Sequence, residues 1–233
     1  MKQIPLALAL DEPPRLDNLI AGANRVALAH VQQALQQGDL PGTPTYLWGD
    51  KGSGKTHYLR AIRTALQEQG MAFGWLDAQT TRVPEFDMQW QAVLLDDVDL
   101  FDAARQHTAF NWFVNAMTPA EGPPRWVVAA GALPVADLPV REDLRTRLGW
   151  GQVFGLQPLS DADVAQALRQ AAQQRGLVLG DGLLAYMQTR FARSTGSLMA
   201  LLERLDAYAL QTRRPLTIAL FRQMLNEETT ETH

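Results

Sequence analysis

Two kinds of hydrophobic pattern alternate along the first two thirds of the chain. Short, nearly uninterrupted apolar runs predict strands, and longer stretches with apolar residues at helical spacing predict helices. The predicted strands are Thr45–Trp48, Ala72–Leu76, Ala92–Leu95, Trp126–Ala130 and Gln152–Leu156. The predicted helices are Ala21–Gln37, Gly54–Gln69 and Ala103–Met117. Runs without polar residues are typical of a parallel sheet covered on both faces, so the pattern predicts an α/β core with a parallel five-stranded sheet.

Beyond Pro158 the pattern is helical throughout. Ser160-Asp161-Ala162-Asp163 supplies side-chain oxygens that cap the start of a helix. The helices predicted there are Asp161–Arg175, Asp181–Arg193, Ser197–Gln211 and Thr217–Asn226. We therefore expect an N-terminal segment (1–14), an α/β core (15–158), a small all-helical subdomain (159–226) and a tail (227–233).

Composition narrows the functional classes. The 233 residues include no cysteine, which excludes disulfides, zinc–thiolate sites and thiol catalysis. A net charge of −4 argues against binding nucleic acid through overall charge, although a local basic patch stays open. No apolar run approaches the ~20 residues of a membrane span, and the seven-residue run Ile4–Leu10 is short for a signal peptide. The expected location is the cytoplasm.

Residues 49–56 match the phosphate-loop pattern G-x-x-x-x-G-K-[ST] without a mismatch. The match follows a predicted strand and opens a predicted helix, which is the context that such loops require. Backbone N–H groups and the helix N-terminus then converge on phosphate oxygens. Lys55 is expected to neutralise the β- and γ-phosphates, and the Thr56 hydroxyl to bind Mg²⁺. The predicted nucleotide-binding residues of the loop are Gly49, Asp50, Lys51, Gly52, Ser53, Gly54, Lys55 and Thr56. The alternative is a glycine turn that matches by chance.

A buried strand ends in two carboxylates about forty residues after the loop. Ala92–Leu95 is followed by Asp96 and Asp97. A carboxylate at this place would lie beside the phosphate loop, where Mg²⁺ requires oxygen ligands. Asp96 is the predicted metal ligand, and Asp97 is expected to orient or activate water. This pattern is weak alone, since polar turns often follow strands, but after an intact phosphate loop it predicts a site for ADP or ATP with Mg²⁺.

Four segments of the chain resemble the DnaA-related AAA+ family. They correspond to its adenine-side box, phosphate loop, acidic strand and arginine-finger box, and are Leu16–Arg25, Gly54–Leu59, Leu94–Val98 and Arg145–Gly151. The resemblance extends from about Leu16 to Leu225 and implies a P-loop AAA+ core followed by a helical lid. It also implies nucleotide contacts from Leu19, Ile20 and Asn24, and self-association of the chain.

Within this family, the junction at residues 150–161 looks like that of the regulatory inactivators of the initiator DnaA. The chain starts almost at the adenine-side box and ends after the lid, so we expect the outer domains of the initiator to be absent. The resemblance implies that the protein acts with the DNA-loaded sliding clamp, the β subunit of the polymerase, and meets DNA through its partners. It identifies Arg147 as an arginine finger acting in trans on DnaA-bound ATP, which would repress replication initiation.

The first residues resemble the clamp-binding peptide of these regulators. Gln3 is followed by apolar residues at alternate positions, namely Ile4, Leu6 and Leu8. In an extended segment these three side chains can enter a preformed apolar pocket while the glutamine amide hydrogen-bonds to its rim. A floppy tail is the alternative.

Two positions depart from the family pattern. The strand Trp126–Gly131 ends in Ala129, Ala130 and Gly131, where the family has a polar residue that positions the attacking water. In the last subdomain Gly196 stands where the family presents an arginine to the γ-phosphate, with Arg190 or Arg193 as possible substitutes.

These departures favour an activator of another protein's ATPase over an efficient ATPase. We expect the chain's own nucleotide to be structural or regulatory, and Arg147 to act on the partner. For Arg147 the alternative is an ordinary surface ion pair with Glu142 or Asp143. For the whole protein the alternative is a self-sufficient DnaA-like or helicase-loader-like ATPase that acts on DNA.

Overall fold

The computed structural model describes residues 14–36, 40–191 and 195–231. They belong to two compact units. One unit comprises residues 13–158, and the other contains the chain from Leu159 onward.

The first unit is built on a five-stranded sheet in which every neighbouring pair is parallel. The strands are β1 (Thr45–Trp48), β2 (Phe73–Leu76), β3 (Ala92–Leu95), β4 (Trp126–Gly131) and β5 (Gln152–Gly155). Their order in the sheet is β2-β3-β4-β1-β5, which confirms the predicted α/β class and the parallel five-stranded sheet. The inner strands β3 and β4 are buried along their whole length, as their purely apolar sequences require.

Helices cover both faces of this sheet. They are α1 (Arg25–Gln36), α2 (Lys55–Glu68), α3 (Ala103–Met117) and α4 (Glu142–Leu148). Successive strand residues point to opposite faces, so Leu94 packs with α1 and α2, whereas Val93 and Leu95 pack with α3 and α4. Because the strands are parallel, the carboxyl ends of β1, β3 and β4 lie together at the same end of the sheet.

Helix α4 was not predicted from the sequence. It has only seven residues, too few for a clear helical period, and buries just two side chains, Leu144 and Leu148. Its charges nevertheless suit a helix, because Glu142 and Asp143 lie in the first turn and Arg145 and Arg147 in the last.

The second unit is all-helical. It contains α5 (Asp161–Gln174), α6 (Asp181–Phe191), α7 (Thr195–Thr212) and α8 (Ile218–Glu231). Helix α5 begins with the predicted cap, in which the Asp163 N–H donates to Ser160 Oγ and the Ser160 N–H donates to Asp163 Oδ2. The unit has an apolar core of its own, which includes Leu168, Met187, Leu202, Leu205 and Phe221.

The tail predicted from residue 227 begins later than expected, because α8 continues to Glu231. Glu227 accepts a hydrogen bond from Gln223 Nε2 at 2.9 Å, one turn earlier in the helix. It also interacts with the hydroxyl of Tyr208 on α7. These contacts support another turn that the polar sequence alone did not indicate. Among the described residues, none of the helices combines the length and apolar character needed to cross a membrane.

Candidate nucleotide-binding site

The phosphate loop connects the end of β1 to the start of α2. Gly49 allows the tight turn, since a Cβ added there would lie 2.3 Å from the carbonyl oxygen of Leu156. Gly54 takes a left-handed conformation (φ 99°) directly before the first turn of the helix. The strand, the loop and the helix N-terminus therefore stand in the arrangement that binds phosphate in other proteins.

Lys55 lies on the inner side of this loop. Its side chain is buried, and Nζ donates hydrogen bonds to the carbonyl oxygens of Gly49 at 2.6 Å and Asp50 at 3.0 Å. Both partners are neutral acceptors, and a phosphate oxygen is a stronger one because it carries charge. The ammonium group is thus placed where an anion bound to the loop would meet it. Lys51, by contrast, is exposed.

The hydroxyl of Ser53 is an unpaired polar group within the loop. Ser53 is 3% exposed, and its Oγ has no hydrogen-bond partner among the described residues. Buried polar atoms are normally paired, so an orphaned one indicates a missing partner. A nucleotide phosphate is a group that this loop is shaped to accept, and the orphaned hydroxyl fits such a ligand.

Asp96 follows the buried strand β3 and is itself 3% exposed. Burial raises the pKa of its carboxyl to about 6, and hydrogen bonding from the Thr56 side chain opposes part of this rise. The two predicted Mg²⁺ ligands are therefore neighbours, although they are forty residues apart in the chain. A divalent cation would compensate the buried negative charge, so the residues present fit the predicted ion.

Asp97 adopts a left-handed backbone conformation (φ 52°) that directs the chain away from the strand. Burial raises the pKa of its carboxyl, as does the negative charge of Asp99, whereas the positive charge of Lys55 lowers it. The charge of Lys51 lowers it as well, so the Asp97 carboxyl lies within electrostatic range of the phosphate loop. A water-orienting carboxylate would be needed near this loop.

On the predicted adenine side, Leu19 and Ile20 are half-buried, whereas Asn24 is buried. The Asn24 amide makes two hydrogen bonds of 2.8 Å with the backbone of Gln157, donating to its carbonyl oxygen and accepting from its N–H. This side chain therefore fastens the adenine-side segment to the chain after β5. Whether Asn24 also contacts a nucleotide stays a prediction, since one N–H of its amide is not used by this pair.

The end of β4 has no room for a side chain. A Cβ added at Gly131 would lie 2.5 Å from Tyr46 Oη and 3.0 Å from Asp99 Oδ1. Tyr46 is fully buried, and its hydroxyl donates to the carbonyl oxygen of Leu133 at 2.7 Å. Of the three residues that end this strand, Gly131 thus has its side-chain space filled by groups from other elements, which the sequence did not reveal.

The other departure concerns the lid. Gly196 lies in the first turn of α7. Arg190 lies in the last turn of α6 and is exposed, whereas Arg193 is outside the described residues. The choice between Arg190 and Arg193 stays a prediction.

Arg147 lies in the last turn of α4, and its guanidinium contacts two aromatic rings. Its Cζ is 5.0 Å from the ring centre of Phe110 and 4.8 Å from that of Trp150. None of the carboxylates in the described part of the chain forms an ion pair with it. Asp143, which sequence reasoning offered as a partner, pairs with Arg141 instead through two hydrogen bonds of 2.7 Å. The alternative of a surface ion pair with Glu142 or Asp143 is thus wrong among the described residues.

Sequence reasoning missed the part that Phe110 plays in this arrangement. The buried stripe of α3 contains Ala109, Trp112, Phe113 and Ala116, and Phe110 falls beside it. Helical periodicity could have indicated this role, because an aromatic residue beside the buried stripe can contact groups outside the core.

Comparisons with known proteins agree with this architecture. Residues 161–225 match the model of the Hda lid domain. An uncharacterised protein from Haemophilus influenzae is 31% identical over 97% of this chain and 99% of its own length.

Two solved structures share the fold. Domain III of the Thermotoga maritima replication initiation protein DnaA superposes with a TM-score of 0.75 at 17% identity, covering 91% of this chain and 95% of that one. AMPPCP-bound DnaA from Aquifex aeolicus has a TM-score of 0.66 at 19% identity, covering 82% of this chain and 64% of that one. These similarities show that the chain belongs to one family with the Haemophilus influenzae protein, has the AAA+ fold of DnaA and carries a lid of the Hda type.

Proposed function

We propose that this protein is a cytoplasmic regulator that promotes hydrolysis of ATP bound to DnaA, with Arg147 acting in trans. The observation that carries the proposal is the guanidinium of Arg147, which contacts two aromatic rings and forms no ion pair with a carboxylate of the described residues. An arginine that stabilises a γ-phosphate in the transition state must have its charge available to that phosphate. A guanidinium without a carboxylate partner meets this requirement.

The chain's own site supports nucleotide binding more than hydrolysis. Lys55, Thr56 and Asp96 provide the groups that hold the phosphates and Mg²⁺ of ADP or ATP. The filled space at Gly131 leaves no side chain there to position the attacking water. We propose that the bound nucleotide is mainly structural, with ADP as the expected form. Finding no nucleotide on the purified protein would count against this part.

The role of Arg147 is tested by measuring the rate of hydrolysis of DnaA-bound ATP in the presence of clamp and DNA. We expect Arg147→Ala to lower the stimulated rate at least about a hundredfold, because arginine fingers contribute about 10³–10⁵ in rate. Arg145→Ala, in the same helix, is the matched control and should stimulate like the unchanged protein. Full stimulation by the Arg147 variant would overturn the proposal.

The sliding clamp is the second proposed partner. Gln3, Ile4, Leu6 and Leu8 lie outside the described residues, so this part rests on the sequence pattern alone. Gln3→Ala combined with Leu6→Ala and Leu8→Ala should abolish binding to the clamp. Lys2→Ala is the control within the same segment. Clamp binding that survives the triple substitution would eliminate the assignment.

An ATPase that works on DNA by itself is the competing function. The intact phosphate loop and Asp97 favour it, since both belong to hydrolysing sites. Appreciable ATP turnover by the purified protein alone, increased by single-stranded DNA, would establish this alternative.

A further inference from the structure

Two aromatic side chains from different elements contact the guanidinium of Arg147. Phe110 comes from α3, and Trp150 follows the end of α4. Both ring centres lie within 5.0 Å of Arg147 Cζ, inside the ~6 Å range of cation–π attraction. We call Phe110 and Trp150 the aromatic clamp. It restrains a long side chain that otherwise loses conformational freedom on reaching a partner.

The Trp150 side of the clamp is itself anchored. Its indole packs edge-on against the ring of Phe113, with centres 6.2 Å apart and an interplanar angle of 80°. Phe113 is fully buried, whereas Trp150 is 57% exposed. The backbone N–H of Trp150 also donates to the Arg147 carbonyl oxygen at 3.1 Å. An exposed indole is thereby held in a fixed place beside the arginine.

A competing carboxylate is kept away from Arg147. Asp143 precedes Arg147 by four residues on α4, which is the spacing and order that favour an ion pair within a helix. Both oxygens of Asp143 are instead engaged by Arg141 Nε and Nη2. Arg141 also lies over Phe110, with Cζ 4.9 Å from the ring centre. Arg141 thus occupies the carboxylate that would otherwise capture Arg147.

We propose that Trp150 is a positioning residue for the trans-acting arginine, and that Arg141 protects this arginine by neutralising Asp143. The proposal rests on the proposed function of Arg147. Pre-ordering of the guanidinium lowers the free-energy cost of placing it at a partner's γ-phosphate. The Arg147–Asp143 ion pair does not have to break, and the side chain loses little rotamer freedom. The effect belongs to the catalysed step and not to the affinity between the two proteins.

The first test varies the ring at position 150 in the stimulated DnaA-ATP assay. Trp150→Leu should lower the maximal rate about two- to fivefold, which is the size of a cation–π contribution at an exposed site. Trp150→Phe should recover most of that loss because it keeps an aromatic face. The protein concentration that gives half-maximal stimulation should stay the same in both variants. Circular dichroism and the thermal midpoint establish that each variant is folded.

A second experiment separates electronic from structural effects. 5-Fluorotryptophan and 5,7-difluorotryptophan at position 150 keep the shape of the ring but progressively weaken its negative face. The maximal rate should fall in that order. An unchanged rate across the series would overturn the cation–π role.

The role of Arg141 is tested by rescue. Arg141→Ala should lower the maximal rate because it frees Asp143 to pair with Arg147. Adding Asp143→Ala to that variant should restore the rate, which a merely structural role of Arg141 would not do. Failure of this rescue would overturn the protective role.

Arg147→Ala keeps the two levels of inference apart. If it abolishes stimulation while Trp150→Leu stimulates normally, the positioning role is wrong and the proposed function stands. If Arg147→Ala itself stimulates normally, both are wrong.

Discussion

Two lysines lie in the phosphate loop, and they differ in surroundings. Lys55 is buried and bonded to two loop carbonyls, whereas Lys51 is exposed. We expect Lys55→Ala to weaken ADP binding by about 10- to 100-fold, since hydrogen bonds to charged groups contribute about 1.5–3 kcal/mol. Isothermal titration with MgADP measures this, with Lys51→Ala as the matched control. Equal losses in the two variants would contradict a special role for Lys55.

Asp96 couples the site to pH. In the unfolded chain an aspartate has a pKa of about 3.9, whereas burial raises the pKa of Asp96 to about 6 in the folded protein. Between these values the folded state holds a proton that the unfolded state has released. The nucleotide-free protein therefore loses stability as the pH rises from about 4 to about 6, and the loss persists above that range.

Asp96→Asn removes this loss because the amide mimics the protonated carboxyl. At pH 7.5 the nucleotide-free variant should be more stable than the unchanged protein by ~3 kcal/mol in urea unfolding. The gain should shrink towards pH 4. The same variant should bind MgADP more weakly, since a carboxylate ligand is lost. A control at the exposed Asp137, substituted by Asn, should show neither change. A destabilised variant at pH 7.5 would show that the carboxylate is not strained by burial.

At the scale of elements, the end of β4 shows how one strand constrains another. Gly131 pairs with Trp48 across the sheet, and the hydroxyl of Tyr46 on the same neighbouring strand fills the space above it. A side chain at this position thus requires movement of a fully buried tyrosine. The absence of a side chain at Gly131 therefore follows from the packing of β1 against β4, and introducing one takes more than one substitution.

Gly131→Ala should reduce the free energy of unfolding by about 1–3 kcal/mol, the usual cost of overpacking a filled core. Gly42→Ala is the matched control, because its nearest atom would be Pro124 Cβ at 3.6 Å, an ordinary contact. Urea unfolding measures both variants. In a Tyr46→Phe background the cost at Gly131 should become smaller, since the 2.5 Å contact is with the hydroxyl. An equal cost in both backgrounds would place the clash elsewhere.

Element prediction succeeded where the pattern was long or purely apolar. The predicted bounds of β1, β3 and α3 agree with the structure, because buried runs define the two strands and buried residues at helical spacing mark α3. Helix α4 escaped detection because its stability comes from Leu144 and Leu148 packing against the core, not from its own length. The end of α8 was misjudged because Tyr208 of α7 interacts with Glu227.

At the scale of the whole molecule, charge limits how the protein can meet DNA. The 21 basic residues are outnumbered by 25 acidic ones, giving a net charge of −4. Non-specific DNA binding depends on the number of phosphates that a protein neutralises. A protein with this balance is expected to reach DNA through its partners.

Fluorescence anisotropy with a labelled duplex and a labelled single strand tests this expectation. At physiological salt the protein alone should show no binding at concentrations up to about 10 μM, within the usual range for non-specific DNA binders. Adding the DNA-loaded clamp should produce association that disappears with the triple substitution of Gln3, Leu6 and Leu8. Micromolar binding by the protein alone, weakening steeply with salt, would instead favour the ATPase that acts on DNA.

The sequence by itself determined the class of fold, the phosphate loop and the family. Local patterns sufficed for these because glycine spacing, apolar runs and the residues at strand ends are dictated by neighbours in the chain. The same reasoning located Lys55, Thr56 and Asp96 from their motifs.

Only the tertiary structure decided which groups several other candidate residues contact. The Tyr46 hydroxyl fills the space at Gly131, and the Asn24 amide pairs with the backbone of Gln157. Asp143 pairs with Arg141 instead of Arg147. The partners of Gly131 and Asn24 are distant in sequence, and the ring that both Arg141 and Arg147 contact, Phe110, belongs to another helix. No local pattern encodes such contacts, because they arise from the packing of elements against one another.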